Sequence, residues 1–229
     1  MMTCPEILKK LKSLADPKAA AGMARYGING KNMLGVSIPK LRNLAKEIGK
    51  DHQIALELWN SEIHEAHMLA SMVDDPASVS EKQMEQWAAD FASWDVCDQV
   101  CSNLFGETAF AWQRAVEWTG RKQEFVKRAG FVLMAVLAVH DKQAHDSAFL
   151  KFMPLIKRES GDERNFVKKA VNWAIRQIGK RNLSLNRAAI KTATEISKLD
   201  SRSAKWIAAD ALRELTSPAV SKQIKRTNP

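Results

Sequence analysis

Apolar residues recur at helical spacing through almost the whole of this 229-residue chain, and no stretch alternates in the manner of a strand. That property confines the fold to an all-α architecture. The spacing predicts helices near 5–14, 17–25, 38–49, 51–59, 62–73, 80–91, 94–104, 107–119, 122–140, 145–157, 163–180, 184–199, 201–215 and 217–225. Turn chemistry supports the breaks, since Asp74-Asp75-Pro76, Gly120, Pro154 and Gly161-Asp162 mark or adjoin interruptions. Residues 26–37, with three glycines, form the longest stretch without a helical pattern. Ten glycines and seven prolines are also few for the frequent turns of a sandwich or barrel.

The pattern repeats. Phe125-Val126-Lys127-Arg128-Ala129 returns 41 residues later as Phe166-Val167-Lys168-Lys169-Ala170. Trp173-Ala174-Ile175-Arg176-Gln177-Ile178 is echoed 37 residues later by Asp210-Ala211-Leu212-Arg213-Glu214-Leu215. Short basic-apolar segments can recur by chance, but a shared period near forty residues is that of stacked HEAT or armadillo helix pairs. The expected fold is a curved superhelix of HEAT-like helical pairs. It is expected to be a single domain over residues 1–229, because no linker is long or polar enough to divide it.

Charge is unevenly distributed along the chain. Residues 1–120 carry 12 Lys+Arg against 16 Asp+Glu, a balance of −4, whereas residues 121–229 carry 23 against 10, a balance of +13. A strongly positive half attracts polyanions, nucleic acid foremost, with an anionic membrane surface or an acidic protein as alternatives. A merely solvated basic face is the bland counterpart. Met1 to Asp16 has lysines spaced through it and no continuous apolar core, so no signal peptide is expected there. The longest apolar run, Ala129 to Val139, is eleven residues, about half of what a bilayer span needs. Three cysteines, Cys4, Cys97 and Cys101, suit a reducing compartment, and a cytoplasmic protein is expected.

Two helices carry side chains with chemistry to offer. On the helix at 163–180, Val167, Ala170, Val171, Ala174 and Ile178 make a core stripe. Lys169, Arg176 and Lys180 gather on another side, with Trp173 between that group and the core. Cations beside an aromatic face suit phosphates and a sugar or base; a tryptophan closing the core rim is the structural alternative. On the helix at 122–140 no charge follows Arg128 until Asp141, so Arg128 lies near a buried environment and needs a partner. A carboxylate, a DNA phosphate, or both would serve its five donors.

A third group is Ser93-Trp94-Asp95-Val96-Cys97-Asp98. If Ser93 caps this helix, Trp94 and Asp98 stand one turn apart on one face. A ring beside a carboxylate can stabilise a cationic centre, such as the oxocarbenium-like sugar of N-glycosidic cleavage. An aspartate paired with arginine between repeats is the structural alternative. Cys97 and Cys101, with His64 and His67 elsewhere, form no Cys-x-x-Cys or His-Glu-x-x-His pattern, so no metal site is expected. Neither a Gly-rich phosphate loop nor a Gly-x-Ser-x-Gly elbow is present.

At these residues the chain resembles the AlkD family of DNA alkylation repair proteins, the HEAT-like-repeat alkylpurine glycosylases. Four ordered segments carry the resemblance. They are Met23-Ala24-Arg25-Tyr26 with Leu34-Gly35-Val36 and Pro39; Ser93 to Asp98; Phe125 to Ala129; and Phe166 to Ala170 with Trp173 and Arg176. Family members often have paired tryptophans where this chain has Ser93-Trp94, and Phe125 stands where another aromatic is common. The resemblance implies catalytic roles for Asp98, Trp94, Trp173 and Arg128, with Tyr26 a further DNA contact. Lys127, Lys168, Lys169, Arg176 and Lys180 complete the expected DNA-binding set. It further implies release of cationic N-alkylated purines from duplex DNA without base flipping, with no cofactor and no metal. The expected partner is double-stranded DNA containing alkylated bases, without a membrane, bound by a monomer. The alternative is a non-catalytic HEAT-repeat binder of DNA structures or of an acidic protein.

Overall fold

The computed structural model describes residues 2–28 and 32–227, and their only regular structure is helical, with no strand among them. Residues 29–31, inside the break expected at 26–37, lie outside the described residues. The chain groups into two compact units, Met1–Phe110 and Ala111–Pro229. The first unit holds α1 (Cys4–Ser13), α2 (Pro17–Met23), α3 (Ile38–Ile48), α4 (His52–Trp59), α5 (His64–Val73), α6 (Glu81–Ala89) and α7 (Trp94–Asn103). The second holds α8 (Ala111–Glu117), α9 (Glu124–His140), α10 (Asp146–Leu150), α11 (Met153–Glu159), α12 (Asn165–Gly179), α13 (Leu183–Ile196), α14 (Arg202–Leu215) and α15 (Pro218–Thr227).

Five of these helices start at a side chain that satisfies unpaired backbone N–H groups. Asp16 accepts from Lys18 N and Ala19 N, Asp51 from Ile54 N, Ser80 from Gln83 N, Asn182 from Leu185 N and Ser201 from Ala204 N. One expected helix, 145–157, is two. Pro154 lies in the first turn of α11, the part of a helix where its missing N–H and fixed φ are tolerated, so α10 stops short of it. The helix expected at 107–119 is shorter as well, since a 3₁₀ turn spans Phe105–Glu107 and α8 begins only at Ala111.

In the first unit α3 packs on α5 and α5 on α7, while α4 backs α5. Trp59 of α4 lies between His67 and Trp87, with centroids 4.3 Å and 3.9 Å away, and ties α4, α5 and α6 into one core. In the second unit α9, α12 and α14 pack in succession, and α13 backs both α12 and α14. Ala129 to Ala138 of α9 are all buried, as a helix apolar on every side requires.

Several bonds between stacked elements share a separation in sequence. In the first unit Leu34–Glu65, Trp59–Asp90 and His64–Asp95 are each 31 residues apart. In the second, Arg128–Phe166, Asn172–Asp210 and Arg176–Glu214 are each 38 apart. Phe125 and Phe166, the matching residues of the echoed pentamers, place their rings 5.5 Å apart. The repeat seen in the sequence is therefore a packing repeat in the second unit. The first unit has a shorter stride and left no echo in the sequence.

Candidate nucleic-acid interface

Two of the expected catalytic residues lie on α7. Ser93 is its N-cap in extended conformation. Val96, Cys97, Val100 and Cys101 face the core, which leaves Trp94 and Asp98 half-buried at its edge, one turn apart. The Trp94 indole N–H donates to the Tyr26 carbonyl at 3.0 Å, while the Tyr26 ring itself is exposed. Tyr26 and Trp94 are thus brought together through backbone and indole, with the phenol left outward.

The same region contains polar pairs that the sequence reading did not single out. His64 Nε2 stands 2.8 Å from Asp95 Oδ2, joining the first turn of α5 to the first turn of α7. Burial pushes the Asp95 carboxyl up, but His64, together with hydrogen bonds from Ser93 and the Val96 backbone, holds its pKa below the ordinary value. Glu65, fully buried, accepts from the Leu34, Gly35 and Val36 N–H groups at 2.9, 2.6 and 3.3 Å. The Leu34-Gly35-Val36 segment is therefore gripped by a carboxylate 31 residues away. A shared stride of 31 was the available clue, but no repeated residue types accompany it.

The other two expected catalytic residues belong to the second unit. Arg128 is buried on α9, and its Nη1 donates to the Phe166 carbonyl at 2.6 Å. A backbone oxygen of the next helix thus meets part of the need foreseen for a carboxylate or a phosphate. Trp173 is half-buried along α12, at the core rim where its spacing puts it. The expected DNA-binding cations divide into two kinds. Lys169 is exposed. Lys168 holds its ammonium 5.1 Å from the centroid of the Trp206 ring, a cation–π contact.

Lys127, Arg176 and Lys180 instead meet carboxylates of their own chain. Lys127 lies 2.6 Å from Glu159 and 3.3 Å from Asp162. Arg176 pairs with Glu214, with Asp210 at 3.5 Å, and Lys180 lies 2.7 Å from the same Glu214. Burial pushes the Glu214 carboxyl up, but Lys180 and Arg176 outweigh it and lower its pKa. These bridges reach from α12 to α14, and the helical wheel of α12 by itself contains neither acid.

The chain matches the family model described as DNA alkylation repair enzyme over residues 7–215. It belongs to that family. In three dimensions this member of the DNA alkylation repair enzyme family is similar to one solved protein, at a TM-score of 0.78 and 19% identity, over 93% of this chain and 96% of the other. That protein is described as belonging to "a new family of proteins related to the HEAT-like repeat DNA glycosylases with affinity for branched DNA structures". The likeness establishes the all-α, HEAT-like-repeat fold for this family member. No curated protein matches the chain.

Proposed function

We propose that this protein is a monofunctional DNA glycosylase that releases cationic N-alkylated purines, such as 3-methyladenine and 7-methylguanine, from duplex DNA. The observation that carries the proposal is Trp94 and Asp98 at the edge of α7, one turn apart, in a chain of the DNA alkylation repair enzyme family. As the bond from C1′ to the purine nitrogen breaks, its electron pair leaves with the base and neutralises the positive charge that alkylation placed there. The sugar becomes oxocarbenium-like. Asp98 opposes that charge and takes a proton from the water whose oxygen bonds to C1′, while the indole of Trp94 lies against the sugar. In the second unit, Trp173, Arg128 and Lys169 are assigned to contacts with the DNA backbone.

A second reading, affinity for DNA structures without excision, is favoured by the fold likeness to the solved protein with affinity for branched DNA. Release of free base from DNA treated with a methylating agent separates the two. Wild type is expected to release methylpurines, and Asp98→Asn to bind the same DNA while releasing none. Excision by Asp98→Asn at the wild-type rate would remove Asp98 from the chemistry. No release by a folded, DNA-binding wild type would establish the second reading.

A further inference from the structure

Trp206 is the most exposed of the seven tryptophans, 42% accessible on α14, and the site above leaves it unused. It is the fifth residue of α14, as Arg128 is of α9 and Lys169 of α12. Asp98 holds the fifth position of α7. The three helices α9, α12 and α14 pack in succession, so Arg128, Lys169 and Trp206 hold the same ordinal position in three neighbouring helices, and Lys168 of α12 reaches Trp206 of α14. The α14 member of this series is a ring where the other two are cations.

The surroundings of the ring are basic. Lys168 reaches over it, and Arg202, one turn earlier, and Lys205, beside it, are both exposed. The nearby acids are engaged. Glu163 accepts from Ser201 Oγ at 2.9 Å and from Ser203 N at 3.1 Å, where it serves as the anion at the start of α14. Asp210 is held by Asn172 at 2.7 Å and by Arg213. Asp200 meets Lys205 at 3.1 Å with both side chains in water, a pair weak enough for a phosphate to replace.

We propose that Trp206 is a stacking platform for one unpaired base of DNA, with Arg202, Lys205 and Lys169 holding the flanking phosphates. A duplex hides its base faces in its own stack, so a flat ring among cations gains from DNA where a base has left that stack. An acidic protein would satisfy the cations, but only in a nucleotide is every flat ring joined to a phosphate, the pairing that a ring among cations matches. The proposal rests on the DNA-binding reading above and is independent of base excision.

The test compares a labelled blunt duplex with the same duplex carrying an oligothymidine arm, by fluorescence anisotropy at fixed salt. Wild type is expected to prefer the armed duplex. Trp206→Ala should lose about ten-fold on the armed duplex, the scale of one base–aromatic stack, and less than about two-fold on the blunt one. Trp206→Leu, which keeps the apolar bulk, should behave like the alanine variant, and Trp206→Phe should retain most of the preference. Equal losses on both DNAs, no loss at all, or a Leu variant that keeps the wild-type preference would each overturn the proposal. Wild type binding both DNAs equally would overturn it while leaving the DNA-binding reading intact. Wild type binding neither would sink both.

Discussion

A buried carboxylate, Glu65, and a glycine, Gly35, together set the path of residues 34–36. Gly35 has φ +74°, and a Cβ there would be driven into the Asp16 carbonyl and would stand 2.6 Å from the Ala20 nitrogen. Both the left-handed backbone and the contact with α2 exclude a side chain. Gly35→Ala is expected to cost about 2 kcal/mol or more, read as a lower urea midpoint at unchanged slope. Glu65→Gln should cost a similar amount, about 2 kcal/mol, because charge-assisted bonds are lost and an amide N–H₂ faces backbone donors. A midpoint unchanged in either variant would contradict this account of the Leu34-Gly35-Val36 segment.

Between elements, the bridge from α12 to α14 has a definite pH signature. The folded pKa of Glu214 is lowered, so its stabilisation is fully present above the unfolded value of about 4.3. It is lost as pH falls through the lower folded value. Glu214→Gln should therefore be less stable than wild type at neutral pH, with the gap closing in strong acid. Urea midpoints across that range read it directly. A gap that persists in acid would mean Glu214 contributes through packing rather than charge. The same substitution releases Arg176 and Lys180, and if α12 lies on the DNA, affinity for a duplex should rise. Unchanged affinity would assign these two cations to the bridge alone.

For the whole chain, the charge balance of +13 over residues 121–229 is a statement about polyanions. Each phosphate neutralised contributes about −0.9 to the slope of log affinity against log salt. Lys169→Ala, at an exposed position, should weaken binding alike for all duplex sequences and reduce that slope by about one contact, about 0.9. A slope that does not change places Lys169 off the phosphates. Pairing of Lys127, Arg176 and Lys180 with carboxylates of their own chain leaves fewer of the 23 Lys+Arg of residues 121–229 for phosphates.

What the sequence determined by itself is local. Helical periodicity, caps such as Asp51, Ser80 and Asn182, and the proline of α11 act within a few residues, and they place nearly every helix. The edge position of Trp94 and Asp98 also follows from spacing along one helix, as does that of Trp173. The tertiary structure alone decided which side chains meet across 29 to 38 residues: Glu65 with the 34–36 backbone, His64 with Asp95, and Arg176 and Lys180 with Glu214. Only packing also left Trp206 outward under Lys168. The physical reason is that a helix's own period states which face a residue is on. Its partner there depends on how far the next helix is displaced, and that is settled by core packing of many residues at once.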